Sequence, residues 1–392
     1  MRIRKEDDLA TIGQTNFRNR HRTFGIKRKD RRHHMYILGK TGTGKSTLLE
    51  SLVLQDVRNG EGLALFDSHG DLLEETFALL PEERRQDVIY LNVPDLSQPI
   101  GFNPLQGIPV ERRSLAAQEL LEVMKKIWAD SWGPRMEHIL RNCLFTLLDQ
   151  PDATLADIGR LLHDKEYRTK AVEQTSNPEV RAFWTREYEN YPWNFRVGVI
   201  APVENKVGAF LSDPYLRRIM TEKENALDLR AIMDDGKILL VNLAKGKIGE
   251  GPAALLGAML VARIGLAGLS RADEEESARR DFYLYLDEFQ AFATESLANM
   301  LSELRKYHVN LILANQYLAQ LEDSVRHALL GNVGTLFSFR VGPDDARVIS
   351  REFRDEVSAA DLMNLPNYHA YVKLMVDGTP SAGFSAETFP PE

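Results

Sequence analysis

Cysteine is nearly absent from this sequence. Cys143 stands alone among 392 residues, which excludes an intrachain disulfide and any zinc site built on cysteine pairs, and fits a reducing cytoplasm. An apolar leader is missing as well: the chain starts Met1-Arg-Ile-Arg-Lys-Glu-Asp-Asp8, so secretion is not expected. No long apolar run is free of charge. The longest, Gly251 to Leu269, is interrupted by Arg263 and rich in glycine and alanine, whereas a membrane span needs about 20 apolar residues without a central charge. It reads as a tightly packed core helix, with no intrinsic membrane span, and any membrane attachment is expected through a partner. Repeats and low-complexity tracts are also lacking. With 43% hydrophobic and 27% charged residues, wholesale disorder and collagen-like architecture are set aside.

What is present is length, uneven charge and a regular rhythm of apolar runs. At 392 residues the chain is more than twice a typical domain of about 150 residues, so it holds two domains or one with a large insertion. The net charge is −8, yet residues 1–34 carry 11 Lys/Arg against 4 Asp/Glu. Such a basic arm suits contact with nucleic acid or acidic lipid, and equally a solvated tail. The charge run Asp273-Glu-Glu-Glu-Ser-Ala-Arg-Arg280 reads as a solvated loop.

Short continuous apolar runs start at Met35, Leu63, Val88, Ile238, Phe282, Leu311, Thr335 and Tyr371. Continuity rather than alternation marks strands buried on both faces of a parallel sheet, an α/β pattern. Between Val93 and Ile238 the rhythm gives way to helical stretches such as Arg113–Trp128, Arg135–Leu148, Thr154–Leu162 and Val180–Tyr188, an all-helical insertion. All four tryptophans, Trp128, Trp132, Trp184 and Trp193, fall inside it among basic residues. Packing of a helical subdomain is the expected reason, with stacking on single-stranded DNA as the alternative.

The chemistry starts at Gly39-Lys40-Thr41-Gly42-Thr43-Gly44-Lys45-Ser46-Thr47, a phosphate loop placed between a strand and a helix, as that motif requires. Its glycines turn backbone N–H groups towards phosphate oxygens, and the helix N-terminus adds its dipole. Lys45 neutralises the β- and γ-phosphates, and Ser46 offers a hydroxyl to Mg²⁺. The second acidic motif is Asp287-Glu288, at a strand end. There Asp287 is suited to the Mg²⁺ shell and Glu288 to polarising the attacking water. No Asn-Lys-x-Asp guanine-reading motif occurs, so ATP is the expected nucleotide. Asp67 ends the strand after the phosphate loop and faces the same crevice, either ordering water or metal or forming a turn before Gly70. Gln316, after the strand Leu311–Ala314, suits sensing of a γ-phosphate. Arg305 precedes that strand, as an arginine supplied from a neighbouring subunit or as a surface residue. Lys245 and Lys247, in the glycine-bearing segment 244–251, are candidates for DNA backbone contact in a pore loop, or part of a plain turn.

The set Gly39–Thr47, Phe66-Asp-Ser-His-Gly-Asp-Leu72, Phe102-Asn-Pro-Leu105, Leu286-Asp-Glu-Phe-Gln290, Ser302-Glu-Leu-Arg-Lys-Tyr307, Leu313-Ala-Asn-Gln-Tyr-Leu-Ala-Gln-Leu321 and Arg340-Val-Gly-Pro-Asp-Asp-Ala346 resembles the TraG/TraD coupling-protein ATPases of conjugation and type IV secretion. Their wider relatives are the HerA/FtsK DNA-pumping ATPases, and the resemblance runs from about residue 30 to 389. It implies a RecA-like core, over 35–106 and 235–392, with an all-α domain inserted over 107–234; the basic arm over 1–34 is read from the charge count alone. The resemblance also implies ATP and Mg²⁺ as ligands, DNA as partner, a hexameric ring, and relaxase or secretion-channel components as further partners. By the same resemblance Gln316 is the γ-phosphate sensor, Arg305 acts across the subunit interface, and Asp67 matches an acidic position of the HerA-like relatives. Coupling proteins usually begin with two membrane-spanning helices, where this chain has its basic arm. The expectation is a cytoplasmic protein docking on a membrane partner; a HerA-like cytosolic DNA translocase and an ATP-regulated, protein-recruiting adaptor are the alternatives.

Overall fold

In the computed structural model of the chain, which describes residues 8–19, 21–223, 227–354 and 356–391, the continuous apolar runs become strands. Their labels are β1 (Leu9–Thr15), β2 (Thr23–Lys27), β3 (Met35–Leu38), β4 (Gly62–Asp67), β5 (Val88–Asn92), β6 (Ile238–Asn242), β7 (Phe282–Leu286), β8 (Val309–Asn315), β9 (Thr335–Ser338), β10 (His369–Lys373), β11 (Met375–Val376), β12 (Thr379–Pro380) and β13 (Phe384–Thr388). β11 and β12 form a small ribbon of their own. The other eleven form one sheet in the order β2-β1-β13-β10-β9-β3-β8-β7-β4-β6-β5.

From β9 to β6 the neighbours run parallel, while β2, β1, β13, β10 and β9 pair antiparallel. The central strands β3, β4, β6, β7, β8 and β9 are buried along their whole length, which is why their sequences show no alternation. Register aligns Leu38 with Asn315 and with Ser338, and Leu286 with Phe66 and Leu313. The residues that follow Leu38, Phe66, Leu286 and Ala314 therefore share one carboxyl edge, where open α/β sheets bind ligands. On one face the helix Lys45–Arg58 packs Leu48, Leu49, Leu52 and Val53 against Ile37, Leu65, Tyr285 and Ile312. Each such side chain contributes on the order of 2 kcal/mol by leaving water.

The chain divides into two compact units, one made of 1–91, 230–243 and 267–392 and the other of 92–229 and 244–266. The first holds the large sheet. The second starts at Asn92 rather than at 107, because residues 101–103 bond within it: Phe102 N–H donates to Ile219 O at 2.8 Å, and the Asn103 amide to Ala153 O at 2.8 Å.

That second unit is helical, with Arg113–Ile127, Pro134–Leu148, Asp157–His163, Lys165–Gln174, Trp193–Ser212 and Pro214–Met220 as its main helices. Trp184 is fully buried in it, its indole N–H on Thr146 Oγ1 at 2.7 Å. Trp128 stacks on Phe210, and Trp132 donates to Glu137. Packing thus accounts for three tryptophans, and Trp193 is 76% exposed. The helix Glu250–Ser270 belongs to the one span, Glu250–Asp273, that is long and apolar enough to cross a bilayer among the described residues; 78% of its apolar window is buried inside the protein.

Residues 8–34 correct the expected arm. β1 and β2 extend the sheet, with Ala10, Ile12 and Ile26 in the main core. The basic residues that follow are ion-paired with the body of the unit: Arg31 with Asp56 at 2.5 Å, Arg32 with Asp281 at 2.9 Å, Arg28 with Asp281 at 3.0 Å and Lys27 with Asp377 at 2.7 Å. The positive charge read as an arm is in good part neutralised inside the fold. Arg2, Arg4, Lys5 and Arg20 lie outside the described residues.

Candidate active site

β3 ends at Leu38 and the chain turns through Gly39–Gly44 into the helix Lys45–Arg58. Gly42 and Gly44 have φ of 74° and 116°, left-handed conformations that a side chain would strain. A Cβ on Gly44 would also lie 3.0 Å from Tyr368 Cδ1. The loop is fastened from both flanking strands: Gly39 N–H donates to Asn315 O at 3.3 Å, and Lys40 N–H to Arg340 O at 2.9 Å. The Thr43 hydroxyl closes it by donating to Lys40 O at 2.7 Å. Lys45 is buried, and its ammonium donates to Gly39 O at 2.6 Å and Lys40 O at 3.1 Å. Burial pushes this ammonium below its usual range, opposed by the charges of Asp287 and Glu288.

The acidic pair follows β7. Burial, with the Asp67 and Glu288 charges adding to it and Lys45 opposing, pushes the Asp287 carboxyl up from 3.8 to about 7. Glu288 is buried and holds φ 54°, an uncommon conformation for a side-chain-bearing residue. Its N–H donates to Asp287 Oδ1 at 3.1 Å. Its own oxygens accept two side-chain amides: Gln316 Nε2 on Oε1, and Gln290 Nε2 on Oε2 at 3.1 Å. Gln316, arriving from β8, therefore meets the carboxylate expected to act on water.

A cleft of about 210 Å³ joins these groups, lined by Thr41, Gly42, Gly44, Lys45, Ser46, Thr47, His69, Asp287, Glu288, Gln316 and Tyr368. Of the residues singled out in the sequence, the structure brings together the phosphate loop, Asp287, Glu288 and Gln316. Asp67 stands beside them but is committed elsewhere: Oδ1 accepts His69 N–H at 2.8 Å and Oδ2 accepts Leu73 N–H at 3.0 Å. It builds the turn and caps the helix Asp71–Ala78, and it acts on the site through its charge on Asp287.

Arg305 is not in this cleft. It is exposed in the turn that closes the helix Glu295–Leu304, and its charge acts on His33 and His34 just before β3. It stands at the opposite edge of the sheet from the phosphate loop. Lys245 and Lys247 sit in the short helical turn Lys245–Ile248 of the other unit, half-buried and exposed respectively. Sequence reasoning missed Gln290 and Tyr368. Gln290 follows the acidic pair by two residues, a cue available in the sequence; Tyr368 carries no such signal.

The residues fit Mg²⁺ and a nucleoside triphosphate. Ser46, exposed at the helix N-terminus, and Asp287 are hard oxygen donors. Among the described residues no cluster of three or more His, Cys, Asp or Glu side chains forms a metal site. Ser46 and Asp287 would share the ion with phosphate oxygens and water.

The family model described as "Helicase HerA, central domain" matches residues 23–259, and "TraM recognition site of TraD and TraG" matches residues 281–357. The plasmid coupling protein TrwB, solved with ADP and Mg²⁺, is similar with a TM-score of 0.67 and 19% identity, over 94% of this chain and 88% of that one. TrwB with the ATP analogue ADPNP gives 0.67 and 16%, over 100% and 91%. VirB4 of Thermoanaerobacter pseudethanolicus gives 0.61 and 15%, over 91% and 89%. At such identities these structures establish the fold, a RecA-like P-loop architecture. No curated protein matches the chain significantly.

Proposed function

The chain belongs to the HerA central-domain family, whose model covers more than half of it, and is a P-loop ATPase; from that premise we propose that it is a motor. In this reading ATP hydrolysis moves DNA or nucleoprotein and couples it to a conjugation or type IV secretion machine, the subunits forming a ring. The observation that carries it is the convergence of Lys45, Asp287, Glu288 and Gln316 on one cleft at the carboxyl edge of one sheet. The TraG/TraD-type segment 281–357 contains three of the elements involved, β7, β8 and the Asp287-Glu288 pair.

Each side chain has a separable task. Backbone N–H groups of Gly42–Ser46 and the helix dipole hold the phosphates, and Lys45 moves its ammonium from loop carbonyls to phosphate oxygens. Glu288 accepts a proton from the attacking water, and Gln316 links that carboxylate to the γ-phosphate, so the base is aligned when the terminal phosphate is bound. Ser46 and Asp287 would hold Mg²⁺, which neutralises charge developing on the β- and γ-oxygens. Arg305, remote from the cleft of its own chain, is suited to reach the cleft of a neighbour in a ring. Lys245 and Lys247 are the proposed DNA contacts. The proposed location is the cytoplasm, where ATP and DNA meet, on the inner face of the membrane through a partner.

The HerA-type match over 23–259 also favours a second reading, a DNA translocase working in end processing. Recovery of relaxase or secretion components with the tagged protein supports coupling; recovery of a nuclease supports the second reading.

The test is ATP turnover with and without single- and double-stranded DNA. Stimulation by either is expected. Lys45→Ala is expected to abolish nucleotide binding or turnover, and Glu288→Gln to lower turnover by about 10²- to 10⁴-fold, the usual contribution of a general base. Unchanged rates in Glu288→Gln would remove the water-activating role; no stimulation together with no DNA binding at low salt would remove the motor.

A further inference from the structure

The steps above use Asp287, Glu288 and Gln316 on one side of the phosphate loop and leave an aromatic ring on the other side without a task. β8 and β7 lie on one side of β3 and deliver Gln316, Asp287 and Glu288; β9 and β10 lie on the other. The γ-phosphate end of a bound nucleotide must face the first group. The triphosphate then runs across the end of β3, and its base leaves towards β9 and β10. Tyr368, the residue before β10, stands there and lines the same cleft as Thr41, Gly42, Ser46 and Thr47.

Three observations mark Tyr368 as held for a purpose. The residue is 48% exposed although it sits in a wall of the cleft. Its φ is 66°, a left-handed conformation that costs a non-glycine residue stability and clusters at ligand clamps. The backbone is fixed in that conformation from both sides, by Tyr368 N–H on Thr43 O at 2.7 Å and by Thr388 N–H on Tyr368 O at 2.9 Å. A second tie runs through Arg340, whose carbonyl accepts Lys40 N–H at 2.9 Å while its guanidinium donates to Leu365 O at 3.1 Å and Asn367 Oδ1 at 3.0 Å. The turn 365–368 is thus fastened to the phosphate loop at Lys40 and at Thr43, and the ring keeps a fixed place relative to the phosphates. Gly44 has no side chain to fill the space beside the ring.

We propose that Tyr368 is the platform on which the base of the bound nucleotide stacks, an assignment that rests on the nucleotide-binding reading above. A ring face attracts any purine through its π surface and reads none of its edges. Tyr368 thereby sets affinity for the base, and Lys45 and the loop set affinity for the phosphates.

The test measures dissociation constants of ATP, GTP and inorganic tripolyphosphate for the full chain and for Tyr368→Leu and Tyr368→Phe. Stacking is worth about 1–3 kcal/mol per base, which is roughly 5- to 150-fold. Tyr368→Leu is expected to weaken ATP and GTP by one common factor in that range and to leave tripolyphosphate unchanged, while Tyr368→Phe binds all three as the parent does. Equal ATP binding in parent and Tyr368→Leu overturns the proposal. So does an equal loss for tripolyphosphate, which would make the residue a brace of the loop, or a loss in Tyr368→Phe as large as in Tyr368→Leu, which would make the hydroxyl the reader. If the parent chain binds neither ATP nor tripolyphosphate, the nucleotide reading falls together with the platform.

Discussion

Asp287 and His34 are two buried titratable residues whose shifts run in opposite directions along the pH scale. Asp287 has its carboxyl raised from 3.8 to about 7, so the folded state binds more protons than the unfolded one between those values. Stability from this residue is present at low pH and is lost as pH rises towards 7. Asp287→Asn is therefore expected to raise the melting temperature of the nucleotide-free protein at pH 8, with the gain vanishing near pH 4. The limit is on the order of 4 kcal/mol, at roughly 2–4 °C per kcal/mol. His34 does the reverse. Its Nε2–H donates to Leu301 O at 2.7 Å and its Nδ1 accepts Leu311 N–H at 3.1 Å, a pattern that requires the neutral ring. Burial pushes it down from 6.5 to about 4, so its stability is present above pH 6.5 and is lost as pH falls towards 4. His34→Gln should flatten the acid limb of a melting-temperature profile between those values; an unchanged limb would show that His34 is not its source. At this scale Lys45, Asp287, Glu288 and Gln316 were legible because their chemistry is tied to motif positions at strand ends. Tyr368 was not, since a lone aromatic before a strand looks like any core residue until its φ and its tie to Thr43 are seen. Asp67 was legible as a strand-end carboxylate, but not the backbone amides that occupy it.

The strands at the antiparallel end of the sheet show where pattern reading stops. β1 and β2 are short, half-polar and glycine-bearing, and a Cβ on Gly13 would lie 2.1 Å from Glu387 O. Their basic followers dominate the composition, so the segment reads as an arm. In the structure, Arg31 is buried against Asp56 at 2.5 Å and 2.8 Å, beneath Tyr285 and over the Tyr283 ring. Losing one partner of a buried pair leaves the other charge stranded, at about 3–5 kcal/mol. Arg31→Ala should accordingly lower stability by about that much, read by denaturant unfolding, and deletion of residues 1–34 should cost folding and ATP turnover together rather than DNA affinity alone. A deletion variant with normal turnover would contradict this account of the element. The helix Trp193–Ser212 was hidden for another reason: Pro192, Gly198, Pro202 and Gly208 are breakers in a sequence, yet Pro192 precedes the helix and Pro202 is tolerated within it. By contrast, the central strands, buried on both faces, were plain as continuous apolar runs.

For the whole molecule, the charge distribution argues against a general DNA-coating surface. The chain carries −8, and the basic residues 27–32 are engaged with Asp56, Glu61, Asp281 and Asp377. DNA contact is expected to be confined to a pore and to depend on a ring. Arg305, at the far edge of the sheet from its own phosphate loop, makes a prediction at this scale: rings mixed from Arg305→Ala and Glu288→Gln subunits should recover part of the turnover that either variant lacks alone. No recovery would place the arginine outside catalysis. The central claim is that hydrolysis in this cleft moves the protein along DNA, and the most direct measurement is displacement of streptavidin from biotin-ended single- and double-stranded DNA. The account predicts displacement on at least one of the two with ATP, and none with a non-hydrolysable analogue or with Glu288→Gln. Hydrolysis of ATP by DNA-bound protein with no displacement on either substrate would contradict it.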